Sequence, residues 1–277
     1  MSGASASTLH IAPSMGARHA NAAIQVCLFG GLTLLKKREL VAWRGGAKTE
    51  ALLLSLAIEG SCGVSREKLL TQLWPEGETS LAIQSLHSLL HSLHRLLGDA
   101  IDGAVPVVHT GEIYRINIDA GISVDIAAFD ALTRQGDADW HAGALLAASH
   151  SYREATALYR GDLHAFADDS AVVERERLRA SYLVMLGRLA DLARRDQDYS
   201  SALEYAWLVL RHDAGREDAH RTLMCCYALL GQRAQALRQY LLCQRLLRET
   251  FDAVPEPATR ELYDRLRLDP DRVLEAL

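Results

Sequence analysis

The spacing of apolar residues changes twice along the chain, and each change marks a different kind of element. Between residues 24 and 43 apolar residues come in short runs: Ile24-Gln25-Val26-Cys27-Leu28-Phe29, then Leu32-Thr33-Leu34-Leu35, then Leu40-Val41-Ala42-Trp43. Gly30-Gly31 and Lys36-Lys37-Arg38-Glu39 separate the runs, so the pattern predicts short strands joined by tight turns. From Ala47 to Glu59 the spacing becomes helical, with Leu52, Leu53, Leu56 and Ala57 on one face, and Gly60-Ser61-Cys62-Gly63 ends it. Ser65 offers a hydroxyl to cap a second helix that holds Leu69, Leu70, Leu73 and Trp74 and stops before Pro75. Thr79 or Ser80 opens a third helix, closed after Leu97 by Gly98. Residues 105–109 and 113–118 then alternate around Thr110-Gly111-Glu112 as a hairpin. Strands, three helices and a terminal hairpin describe a winged helix, in which the third helix enters the major groove.

At about 100° per residue the third helix has two faces. Ala82, Leu86, Leu89, Leu90, Leu93, Leu96 and Leu97 share one; Gln84, His87, Ser88, His91, His94 and Arg95 fall opposite. The polar face is the candidate DNA reader, since Gln pairs with adenine and Arg with guanine. Arg115, in the hairpin, is the candidate phosphate contact. The bland alternative is a solvated face. His87, His91 and His94 follow metal-ligand spacing along one helix, but no cysteine is near and the closest acid is Asp99, so no metal is expected.

From Ile126 onward the pattern is helical throughout. Ala202-Leu203 and Ala236-Leu237 lie 34 residues apart, each after a polar break, with a helix from Ala219 to Leu230 between them. That period is the tetratricopeptide spacing. A less regular unit holds Ala155, Leu158, Tyr159 and Gly161, and a closing helix follows Pro257. A stack of such hairpins makes an extended interaction surface. The fold class is therefore mainly α with a small β component, divided into a disordered tail (1–23), a winged helix-turn-helix domain (24–120), an all-α repeat domain (121–268) and a second tail (269–277).

Charge narrows the function. The 277 residues carry a formal net charge of −5. Residues 24–120 hold nine Lys/Arg against ten Asp/Glu, and residues 121–277 twenty against twenty-five. Affinity for any DNA comes mostly from phosphate neutralisation, so strong non-specific binding is not expected. Five cysteines without C-x-x-C spacing, no apolar leader and no apolar run long enough for a bilayer point to the cytoplasm and away from membranes. No G-x-x-x-x-G-K-[ST], G-x-S-x-G or H-E-x-x-H motif occurs, so neither catalysis nor a cofactor is expected.

Several segments carry a family resemblance: Leu28-Phe29-Gly30; residues 64–69 followed by Leu73-Trp74-Pro75; Ser85-Leu86 with Leu93, Arg95 and Leu97-Gly98; residues 111–115; Val124-Asp125 with Phe129; Tyr159-Arg160-Gly161; and Gly215-Arg216-Glu217 through Tyr240. In this order they resemble the bacterial transcriptional activator domain family of SARP-like regulators, over roughly residues 26–267. The resemblance implies promoter binding to double-stranded DNA through the winged helix. It also implies activation by recruiting RNA polymerase, with the helical repeats contacting other regulatory proteins or a second protomer as a homodimer. The alternative is an adaptor whose winged helix no longer reads DNA. The acidic balance and the histidines in place of arginines on the third helix favour it.

Overall fold

The structure, a computed structural model, describes residues 15–43, 45–75, 79–163 and 169–268. The chain forms two compact units. One contains the chain up to Leu132 together with Leu158–Arg175; the other contains Thr133–Ala157 and the chain from Glu176 onward.

The first unit opens with helix α1 (Met15–Ala20) and strands β1 (Ile24–Cys27), β2 (Thr33–Lys36) and β3 (Glu39–Val41). Lys37 and Arg38 turn the β2–β3 hairpin with positive φ at both residues, the backbone twist that two-residue hairpin turns require. Helices α2 (Ala47–Glu59), α3 (Arg66–Leu73) and α4 (Thr79–Leu97) follow, and Ser65 caps α3 by accepting from the Lys68 amide at 3.1 Å. Leu52, Leu56, Leu69, Leu86 and Leu93 are fully buried and form the core that the helical spacing predicts. The wing, β5 (Val107–Thr110) and β6 (Ile113–Ile116), turns at Gly111-Glu112, and β6 also pairs with the short β4 (Val64–Ser65).

Two features depart from the sequence reading. Residues 15–20 are helical rather than a disordered tail, and the nearly buried His19 hydrogen-bonds with Ser123 Oγ at 2.8 Å. Burial, then the charge of Arg160, lowers the His19 pKa to about 4, so the imidazole is neutral. Residues 1–14 and 269–277, the remainder of the two expected tails, lie outside the described residues. The second departure is β7 (Ile122–Val124), which runs parallel to β1 and completes a sheet of order β3-β2-β1-β7. The sheet therefore extends past the sequence boundary at 120/121.

Helix α5 (Asp125–His141) begins at a carboxylate with 0% exposure. Asp125 Oδ2 accepts from the amides of Leu28 at 2.8 Å and Phe29 at 3.1 Å, and Oδ1 accepts from Ile126 at 2.9 Å. Burial pushes this carboxyl up to about 6, against the pull of the three amides and of Arg160. Beside it the rings of Phe29, Phe129 and Tyr159 pack with centroids 4.8–6.1 Å apart. Gly30 and Gly161 meet backbone to backbone: a Cβ on Gly161 would stand 3.1 Å from Gly30 Cα, and one on Gly30, whose φ is +77°, 3.2 Å from the Arg160 carbonyl. Three segments about 130 residues apart at their extremes thus converge within this one unit.

The second unit is built of helices. Beyond the end of α5 it contains α6 (Leu145–Leu158) up to Ala157, the part of α7 (Asp169–Arg195) from Glu176, α8 (Tyr199–His212), α9 (Glu217–Leu229), α10 (Arg233–Phe251) and α11 (Pro257–Leu268). Ala202 and Ala236, the paired positions of the 34-residue repeat, are both fully buried. Their small side chains admit the neighbouring helices closely, α8 against α9 and α10 against α9 and α11. His220 Nε2–H donates to the Ala214 carbonyl while its Nδ1 accepts from Gln239, fixing α9 on α10 with a neutral ring. Arg233 closes the stack by donating to the carbonyls of Leu266 and Arg267 at the end of α11, groups that no longer have a partner within the helix. Among the described residues no helix is long and apolar enough to cross a membrane.

Candidate nucleic-acid interface

Helix α4 displays the expected polar face in part. Gln84, His87, Ser88, His91 and Arg95 are exposed, whereas Ala82, Leu86, Leu93 and Leu97 are buried. Eleven residues separate Gln84 from Arg95, about 16 Å along the axis, which is long enough to follow a groove past several base pairs. Ser88 donates its hydroxyl to the Gln84 carbonyl at 3.2 Å, so outward it offers an acceptor. Ser85 and Ser92 are turned onto their own helix in the same way.

His94 departs from the set. It is half-buried, its ring lies within ordinary contact of where a Cβ on Gly98 would stand, and its Nδ1 is sealed from solvent with no hydrogen-bond partner among the described residues. The reason is helical phase: His94 stands one residue after the buried Leu93 and three before the buried Leu97, on the margin of the apolar face rather than in the middle of the polar one. His87 and His91 remain on the exposed stripe without it. Arg115 sits apart, on β6 opposite Val108, half-buried. Gly63 has φ +73°, and a Cβ there would lie 2.5 Å from Arg115 Cγ. Glycine at 63 thus gives the arginine stem a slot.

Three other cations of this unit are already engaged. Arg66 is salt-bridged to Glu112 at the wing tip, and the Arg66 amide donates to the Glu112 carbonyl at 2.8 Å. Lys68 pairs with Glu59, and Lys48 lies 4.7 Å from the ring centroid of Trp74. These contacts fasten the wing to the start of α3 and α3 to the end of α2. The sequence reading missed them. Glu112, next to Ile113, the strand partner of Ser65, which precedes Arg66, was the available signal, but it becomes readable only once the β4–β6 register is known.

The comparisons agree with this architecture. Transcriptional regulatory protein EmbR from Mycobacterium bovis and from Mycobacterium tuberculosis are each 29% identical to the chain over 229 residues. Those matches cover 80% of this chain and 58% of the relative, so the chain spans little more than half the length of these relatives. A solved structure of Mycobacterium tuberculosis EmbR in complex with a low-affinity phosphopeptide superposes with a TM-score of 0.74 at 24% identity, covering 92% of this chain and 69% of that one, and shares the fold. The model of the bacterial transcriptional activator domain matches residues 124–267. The chain therefore belongs to the bacterial transcriptional activator domain family, and it carries a winged helix ahead of that domain.

Proposed function

We propose that this protein is a non-enzymatic, cytoplasmic transcriptional regulator, an activator that binds promoter DNA through α4 and the wing. Its helical unit contacts RNA polymerase, another regulatory protein or a second protomer. The observation that carries the reading is the continuous exposed stripe Gln84, His87, Ser88, His91 and Arg95 on the third helix of a winged helix. In helix-turn-helix docking the N-terminal part of that helix meets base edges, which assigns Gln84 and His87 to base contact, Ser88 and His91 beyond them, and Arg95 and Arg115 to phosphate. His94 is left as a packing residue. Membership of the activator-domain family supports a role in transcription, and five free cysteines support a reducing compartment.

The engaged states of Arg66, Lys68 and Lys48 favour a second reading, the adaptor, because they withdraw three cations of this unit from phosphate. Selection of the purified chain against random duplex DNA at two salt concentrations separates the readings. A regulator enriches a motif, and its affinity falls with salt at a slope of about 0.9 per phosphate contacted. An adaptor enriches none at either salt.

A further inference from the structure

The helical unit contains an open groove of about 620 Å³ whose polar lining is dominated by arginine: Arg188, Arg194, Arg216 and Arg221 against Asp191 and Asp218. Its floor is made of small residues, among them Gly187, Ala190, Ala206 and Ala219. A Cβ at Gly187 would meet nothing within 4 Å, so space lies open above the α7 backbone there. Trp140 forms one wall, with the Arg188 guanidinium 5.2 Å from its ring centroid.

Each arginine has an acidic partner within the unit. Arg188 holds Asp137, Arg194 lies 3.4 Å from Asp191, Arg216 lies 2.5 Å from Asp218 and Arg221 lies 3.2 Å from Glu256. The two signs are not placed symmetrically. The arginine side chains are 23–29% exposed and their acidic partners 40–63%. Of the four acids only Asp191 and Asp218 line the groove, so the groove sees four cations and two anions. Single-contact pairs this exposed, Arg194–Asp191 and Arg221–Glu256, are worth about 0–1 kcal/mol each, so an arriving carboxylate can take over either guanidinium without a large loss; Arg216 is held more firmly, by two contacts to Asp218. Guanidinium groups also bind carboxylates in a planar, two-point geometry.

We propose that this groove binds an extended acidic peptide segment of a partner protein, with Arg194, Arg216 and Arg221 taking its carboxylates and Trp140 an apolar side chain between them. The inference rests on the reading of the helical unit as the partner-binding half and is independent of DNA binding. Its shape supports an extended chain: the groove is open along one side, small residues let a backbone approach, and cations are spread over α7, α9 and the turn before α9 rather than gathered at one point.

The test is selection of a displayed random dodecapeptide library on the full chain, followed by anisotropy titration of the leading labelled peptide. The expected result is enrichment of peptides rich in Asp and Glu with at least one large apolar residue. Arg194→Glu with Arg216→Gln should weaken the selected peptide at least tenfold while circular dichroism keeps the helical signal. Asp191→Lys, which adds a cation to the groove and removes no arginine, should tighten it severalfold, and this keeps the test valid if the arginine variant misfolds. Enrichment of neutral or basic peptides, or acidic binders indifferent to Asp191→Lys, would overturn the acidic-peptide inference and leave the partner-binding reading standing. No enrichment of any peptide would overturn both.

Discussion

Replacing Asp125 with alanine removes one carboxylate and leaves three amides without their acceptor: Leu28 and Phe29 at the end of β1, and Ile126 in the first turn of α5. Each buried orphan costs about 1–3 kcal/mol, so with Asp125 protonated the loss is about 5 kcal/mol. Ionisation offsets part of it. The folded pKa of about 6 stands above the ordinary 3.8, so the acid's contribution is full below pH 3.8 and declines as pH rises to 6. At about 1.36 kcal/mol per pKa unit, the ionised carboxylate is disfavoured by about 3 kcal/mol. Asp125→Ala should therefore destabilise the first unit by about 2 kcal/mol at pH 7.5 and about 4 kcal/mol at pH 4.5. Urea unfolding followed by tryptophan fluorescence reports it, with Trp43 and Trp74 in this unit. Hydrogen exchange at the Leu28 and Phe29 amides localises the loss. A cost that does not change between the two pH values would refute the assignment of a raised pKa. Unchanged protection of the two amides would refute the hydrogen-bonding scheme.

Further predictions follow from the same geometry. Gly30→Ala places a Cβ 3.2 Å from the Arg160 carbonyl at φ +77° and should cost about 1–3 kcal/mol, read as a lower melting temperature. His94→Leu removes a buried nitrogen that has no partner among the described residues; it should stabilise by about 1 kcal/mol and leave the selected DNA motif unaltered. His87→Ala and His91→Ala should instead broaden that motif in a binding-site selection. Arg115→Ala should weaken DNA retention evenly across sequences and lower the salt slope by about one; a change confined to one base position would speak against phosphate contact.

The sequence revealed the helices more fully than what joins them. Apolar spacing predicted α2, α3 and α4 with their ends, and the 34-residue period predicted the Ala202 and Ala236 positions, because burial of one helical face leaves a repeating mark. Strand β7 left none. Ile122-Ser123-Val124 is too short to alternate convincingly, and its partner Ile24-Gln25-Val26 lies almost 100 residues earlier. Asp125 looked like the junction residue of a family motif, but nothing local says that it is buried or that its acceptors serve β1. On α4 the angular estimate grouped His94 with the polar face, since 100° per residue sorts centres of faces well and margins poorly. Arg115 was legible as a wing residue; the slot over Gly63 was not, because it requires the β4–β6 register. Gly161 likewise reads as a helix end, and only the fold reveals that it faces Gly30.

The meeting of Gly30 with Gly161 sets an order of events during synthesis. About 130 residues separate the two glycines, and at about 5–20 residues per second the later one leaves the ribosome on the order of ten seconds after the earlier. Within that interval α4 and the wing are made, yet the seat for the Phe29 ring still lacks Tyr159. The nascent winged helix thus completes its packing only after α5 and α6 have emerged, so its maturation is timed by the growth of the helical half of the chain.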